Sequence, residues 1–353
     1  MMTATRSYFL SRPIKFLLAV IAIIFVTATS MRAASPEPTL MPSEAKFVEG
    51  AKKEGKVAFW CAGPAKEMEP VFGKFRQRYP SVQVEYWRAG DAEVQQKIIP
   101  EARAGVYNVD VVCTDLEFLV ELKKAGLMKK HDWPNARLWN AGYKDADGYW
   151  VARHAVVAVI GYNTDLVKAQ EAPKRWEDLW EPKWKGQISM PKDYDWVLML
   201  WSAWGREKTV AYLKNLAKNN PAIGPGHTAR VEMIAAGGMK VDVRLPLHAL
   251  LTYQGKGAPI EFARTDPIVT KGTPMFIAEH APHPNAAVLF ADWLTSAEGQ
   301  KAYHDATGHL MPNSEVKSKI SDALRGLNVV ATPASMAAYA SEIGKVYTEL
   351  FWK

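Results

Sequence analysis

The chain has 353 residues, 48% of them hydrophobic and 23% charged, with 44 Lys and Arg against 37 Asp and Glu and only two Cys. Such a chain can bury a large core shared between two domains; disorder, collagen-like repeats and a disulfide-dense scaffold are excluded. The formal charge of +7 invites a nucleic-acid partner, so its position along the sequence decides how it is read.

Residues 1–34 read as a secretory signal. Arg6, Arg12 and Lys15 form a positive stretch before the apolar run Phe16–Val26, and small residues surround Ala33 and Ala34. An uninterrupted run of 11 residues is short for a membrane anchor. Removing residues 1–33 takes away Arg6, Arg12, Lys15 and Arg32 but no acid, which leaves 40 basic against 37 acidic residues. No block of five or six basic residues follows, so no nucleic-acid partner is expected. The mature protein is expected to be soluble.

Downstream, strand and helix patterns alternate. Val57–Cys61 is a short apolar run followed by Gly63 and Pro64. Met68, Val71, Phe72 and Phe75 then recur at helical spacing, with Pro64 suited to the first turn. Val82–Trp87 predicts a second strand, Glu93–Ala104 a helix kinked at Pro100, and Val109–Thr114 a third strand. Asp115 is placed to cap the helix that ends at Gly126. A second section opens with the strand Ala155–Tyr162, and Trp176–Gly186 reads as a structured loop. Asp195–Lys218 is helical, Thr228 is placed to cap a short helix, and Lys240–Leu245, Ala258–Ala263 and Ile268–Thr270 are strands. Pro284 starts a helix with Ala286, Leu289, Phe290 and Trp293 on one face. Another runs over Ser296–Thr307 and stops at Gly308, and Ser335–Phe351 is amphipathic. The alternation argues an α/β fold with parallel strands.

In such sheets ligands sit beyond the carboxyl ends of strands, where helix amino ends also point. Cys61, Ala62, Gly63, Thr114 and Asp115 hold those positions. Arg153, Arg230 and Arg244 are candidate anion clamps, because a guanidinium matches a carboxylate or phosphate with two hydrogen bonds. Arg244 stands out, lying in an apolar strand just before Pro246. Trp60, Trp87 and Trp150 flank strand ends as core packing or as rings on which a ligand stacks. Cys61 and Cys113 either pair in an oxidising compartment or remain two buried thiols. Glu279, His280 and His283 suggest a metal cluster, but Pro282 and Pro284 break any common helical face, so His283 reads as a helix cap. Nucleophile-elbow, zinc-protease, P-loop and dinucleotide motifs are absent, so no metal site, cofactor or catalytic residue is expected.

Several segments together resemble the periplasmic solute-binding proteins of ABC importers, nearest to the ferric-iron branch of the family-1 extracellular group. They are Glu101–Val112, Tyr162–Val167, Trp176–Gly186, Ala281–Phe290 and Asp292–Gln300. The resemblance implies a two-lobe α/β architecture of type II, each lobe a mixed sheet flanked by helices, with the ligand held between them. Lobe 1 would hold residues 40–153 and 266–353, and lobe 2 residues 154–265. It also implies a monomer that closes on its solute in the periplasm and presents it to an inner-membrane ABC permease. Ferric relatives carry adjacent tyrosines after the strand matching Lys240–Leu245, and often a His in the first loop. Here the first position reads Leu245-Pro246-Leu247-His248 and the loop reads Cys61-Ala62-Gly63-Pro64. Fe³⁺ needs anionic oxygen ligands, which Leu and Pro cannot supply. The expected ligand is therefore a small anion (a carboxylate, phosphonate or phosphate ester) or an anionic metal chelate. Its contacts would be Cys61, Ala62, Gly63, Thr114, Asp115, Arg153, Thr228, Arg244 and His248. Ferric binding at an atypical site, a ligand-sensing role and a secreted enzyme on the same fold stay open as alternatives.

Overall fold

The computed structural model describes residues 42–352; the expected signal segment lies outside the described residues. Ten strands form one mixed sheet: β1 (Lys56–Cys61), β2 (Gln83–Arg88), β3 (Val111–Cys113), β4 (Val151–Asn163), β5 (Ile188–Met190), β6 (Ala222–Ile223), β7 (Val241–Pro246), β8 (Ile260–Phe262), β9 (Ile268–Ile277) and β10 (Val329–Thr332). Their order is β2-β1-β3-β9-β4-β7-β5-β6, with β10 on β9 and β8 on β4. β1 pairs in parallel with both β2 and β3, as the strand–helix–strand pattern requires. Among the described residues no helix is long and apolar enough to cross a membrane.

Two long antiparallel strands carry the sheet from one lobe to the other. β4 has 13 residues, about 40 Å of extended chain. Its first half pairs with β9 from Val151↔Met275 to Ala158↔Val269, and its second half pairs with β7 and β8. The sequence predicted only Ala155–Tyr162 and Ile268–Thr270. The ends it missed, around Arg153 and Thr273, carry polar side chains that an apolar-run criterion rejects, yet their backbones complete each other's ladder.

The lobes have separate cores. In the first, Met68, Val71, Phe72 and Phe75 of helix Ala65–Arg78 are all buried, as their spacing predicted. Phe75 meets Phe290 and Trp293 of helix Pro284–Thr295 at ring-centroid distances of 5.0 and 5.3 Å. In the second, β4 shows the two-residue period of a strand buried on both faces. Ala158, Ile160 and Tyr162 face a core built on Trp176, Trp196 and Tyr212, whereas Val157 and Val159 face Leu245, Leu250 and Ile268. The expected loop Trp176–Gly186 forms two 3₁₀ turns, Trp176–Trp180 and Pro182–Trp184, anchored by Trp176 Nε1 donating to the Pro267 carbonyl.

The hydrophobic clusters divide the carboxyl-terminal stretch differently from the 266–353 block expected for the first lobe. Residues 286–316 contribute to the first core, but Ile320 and Leu324 join one cluster of the second lobe, and Ile343 and Tyr347 the other. The helix Ala340–Phe351 therefore straps the second lobe. Its amphipathic pattern showed that it docks but not where.

Candidate functional site

A cavity of about 920 Å³ spans the two lobes. Pro64, Glu67 and residues 304–309 line it from first-lobe elements; His227, Thr228, Arg244, Pro246, His248, Tyr253 and Lys256 line it from the second. Three helices begin at its wall: Ala65–Arg78, His227–Ala235 and Leu247–Gln254, and none has a side-chain cap. Uncapped amino ends present free N–H groups and the positive end of the helix dipole, which favours anions. A second depression of about 510 Å³ lies around Lys130, Trp133 and Lys144 of the first lobe. None of its lining side chains holds a buried polar atom without a partner.

Of the sequence-predicted contacts, Thr228, Arg244 and His248 line the cavity, and Cys61, Ala62, Gly63, Thr114, Asp115 and Arg153 do not. Thr228 lies inside its helix, because Gly226 takes the capping position. The expected clamp Arg244 donates from Nη2 to Asp195 Oδ2 at 2.9 Å, while its buried Nε has no partner. Arg230 instead is locked inside the second lobe by Asp242 at 2.9 Å.

Three imidazoles, His227, His248 and His309, line the cavity and a fourth, His154, is buried beside them, an arrangement the sequence did not reveal. His248 stacks on His309 with ring centroids 3.7 Å apart; His309 meets His154 at 4.0 Å and His248 meets His227 at 6.2 Å. Burial pushes His248 down to about 3, helped by His227 and Arg244, and burial likewise lowers His154, His227 and His309. The rings are therefore neutral at physiological pH, and the buried Nδ1 atoms of His154 and His309 have no partner. Among the described residues no three His, Cys, Asp or Glu side chains are arranged to hold a metal.

Behind Arg244 an ionic chain crosses between the lobes. Asp195, at the start of helix Asp195–Trp204, also accepts from Lys271 at 3.3 Å, and Lys271 reaches Asp115 at 2.9 Å. Lys271, on β9, is 4% exposed. Burial opposes its charge, but Asp115 and Asp195 raise its pKa overall. Burial likewise opposes the Asp195 carboxylate, yet Arg244 and Lys271 hold it down at about 2. Asp115 thus takes the expected cap position of helix Leu116–Lys124 but makes no side-chain cap bond, because its carboxylate is held by Lys271.

The remaining predicted contacts cluster at the carboxyl ends of β1 and β3. Ala62 and Gly63 form the half-buried loop after β1, and the Tyr86 hydroxyl donates to the Cys61 carbonyl at 3.0 Å. Cys61 and Cys113 lie on adjacent parallel strands, one residue beyond the Trp60↔Val112 pair, as two buried free thiols. Arg153, 5% exposed, donates to the Tyr303 hydroxyl; among the described residues it has no carboxylate within ion-pair distance, and its Nε is without a partner. Trp60 packs edge-on against Trp87 at 4.6 Å with Lys97 above both rings, and Trp150 is buried in the first core. His283 occupies the cap position of helix Pro284–Thr295 as predicted, but its ring bonds Asp110 at 2.8 Å, and Glu54 accepts from the first helical N–H groups instead.

The model of the family described as "Bacterial extracellular solute-binding protein" matches residues 108–325. The chain is 22% identical over 292 residues to the Fe(3+)-binding periplasmic protein of Serratia marcescens, covering 79% of this chain and 81% of that one. Iron-bound HitA from Pseudomonas aeruginosa superposes with a TM-score of 0.72 at 18% identity, over 84% of this chain and 99% of that one. AfuA from Actinobacillus pleuropneumoniae with fructose-6-phosphate bound gives 0.69 at 19% identity, over 85% and 99%. At these identities the structural likeness shows the fold, that of two-lobe periplasmic binding proteins.

Proposed function

The chain belongs to the bacterial extracellular solute-binding proteins, and on that premise we propose that it is the capture subunit of an ABC importer for a small anionic solute. It acts by binding alone. Exported to the periplasm with residues 1–34 removed, the monomer closes its lobes on the solute and offers the closed form to a membrane permease. One observation supports the anion above all: the inter-lobe cavity collects three uncapped helix amino ends and the unpartnered Nε of Arg244. Carboxylate, phosphonate and phosphate-ester groups all suit this wall, with His227, His248 and His309 as neutral hydrogen-bonding neighbours.

A bare ferric ion suits it poorly. Segment 245–248, where the family resemblance implies tyrosines, supplies Leu, Pro, Leu and His. The cavity's tyrosine, Tyr253, donates to Glu232 at 2.6 Å. Native mass spectrometry of protein purified without refolding is expected to show a co-purified organic anion. Iron at unit stoichiometry with no organic component contradicts the proposal.

A further inference from the structure

The sequence has two cysteines, and the fold brings them together. β1 and β3 run side by side in parallel, in the register Phe59↔Val111 and Trp60↔Val112, so Cys61 and Cys113 hold the next position on each strand. In-register residues of neighbouring strands point to the same face, and such strands stand about 4.8 Å apart. That spacing falls inside the roughly 4.4–6.8 Å between Cα atoms that a disulfide spans. The two thiols share a hydrogen bond and are 0% and 1% exposed. Burial alone explains each of them as a small apolar side chain. It does not explain why the two thiols of the whole chain meet across one pair of strands.

Their position bears on the cleft. Cys61 is followed by the loop 62–64 and helix Ala65–Arg78, whose amino end lines the inter-lobe cavity. Cys113 is followed by Thr114 and Asp115, and the Asp115 carboxylate holds Lys271. A bond between the two sulfurs closes a loop of about 50 residues that also encloses β2 and helix Asp91–Arg103. Arg153 assists its formation. Burial opposes a thiolate at Cys61, but the Cys113 thiol and the Arg153 charge outweigh it and lower its pKa to about 6. The thiolate is the attacking form in thiol–disulfide exchange.

We propose that Cys61 and Cys113 form a disulfide between β1 and β3 when the chain folds in oxidising surroundings, and that this bridge staples the first-lobe edge of the cleft. The oxidant is another disulfide, that of a thiol oxidoreductase or of oxidised glutathione; that the chain meets it rests on the export reading above. Cys61 Sγ attacks one oxidant sulfur and expels the other, and Cys113 Sγ then attacks Cys61 Sγ and expels the second. The two cysteine protons end on the two expelled sulfurs, and the two electrons lost by the pair reduce the oxidant to its dithiol form. Exchange precedes the packing of helices Ala65–Arg78 and Pro284–Thr295, whose Phe72 and Phe290 cover this face of β1 at Phe59.

The test prepares the protein in two ways: the full chain expressed in a bacterium and recovered from its periplasm, and the mature chain refolded from urea in a glutathione redox buffer. Each is denatured without reductant, treated with N-ethylmaleimide and weighed intact. Both are expected to carry no adduct, to be lighter than the reduced chain by two hydrogens, and to yield one linked peptide joining Cys61 to Cys113. Chain refolded with dithiothreitol instead should melt roughly 5–10 °C below the bridged form. The Cys61→Ser, Cys113→Ser double variant should melt alike from both buffers. Two adducts on either preparation, or a sulfur link between two chains, overturns the bridge, and equal midpoints for the oxidised and reduced chains overturn the staple. Retention of the full chain in the cytosol with residues 1–34 attached, while the refolded chain forms the bridge, overturns the export reading and leaves the bridge standing.

Discussion

Arg244→Ala is expected to weaken capture of the solute roughly 10- to 150-fold, while the thermal midpoint of the free protein moves little. A hydrogen bond to a charged group is worth about 1.5–3 kcal/mol, and each 1.4 kcal/mol is about a factor of ten in affinity. Arg244 has one nitrogen on Asp195 and a buried Nε with no partner in the free protein. That nitrogen can therefore take a ligand oxygen without breaking an existing bond. After truncation Asp195 keeps Lys271 at 3.3 Å, so the second lobe is not left with an isolated buried charge. Lys256 is the control: it lines the same cavity from the exposed turn after helix Leu247–Gln254, where solvent screens it, and Lys256→Ala should cost less than threefold. Calorimetry with the same anion on all three proteins separates the cases. Equal losses at the two positions would show nonspecific attraction rather than a built clamp.

Lys271→Met is expected to have the largest effect on stability, about 3–5 kcal/mol, which is the usual cost of removing one partner from a buried ionic group. Lys271 is the only cation joined to both Asp115 of the first lobe and Asp195 of the second among the described residues. Met conserves most of the volume, so the loss is electrostatic: among the described residues Asp115 has no other ion-pair partner, and Asp195 retains Arg244 alone. The Trp-rich second core gives a convenient readout in urea titrations followed by fluorescence. Adding Asp115→Asn to Lys271→Met should recover part of the loss, since it removes the uncompensated charge. A midpoint unchanged by Lys271→Met would mean that water already satisfies these carboxylates and that the chain between the lobes holds nothing.

The fold was legible where local chemistry decides structure. The stripe Met68, Val71, Phe72, Phe75 is buried as its period requires, and Gly308, at φ 72°, ends helix Ala297–Thr307 because the left-handed cap suits a residue without a side chain. The site was legible only in part. Arg244, which lines the cavity, stood out because a charge in an apolar strand is costly unless it meets a partner or a ligand. Its partner Asp195 was invisible, since 49 residues separate the two. The histidine row draws on positions 154, 227, 248 and 309, which share no local pattern and meet only through the crossing strands and the turn at Gly308. Lys271 was hidden by the same topology: the expected strand stopped at Thr270, and its partners Asp115 and Asp195 are remote in the sequence. Asp115 was read correctly as a helix-start residue and incorrectly as a cap, because a buried lysine outcompetes backbone N–H groups for a carboxylate.

The central claim is that solute binding closes two lobes joined by β4 and β9, and small-angle X-ray scattering tests it most directly. The mature chain is measured free and then with a solute at a concentration shown by calorimetry to saturate it. A fall in the radius of gyration on saturation is predicted, with a smaller fall for Arg244→Ala at the same concentration, in proportion to its lower occupancy. A saturated protein whose scattering matches the free form would contradict capture by lobe closure.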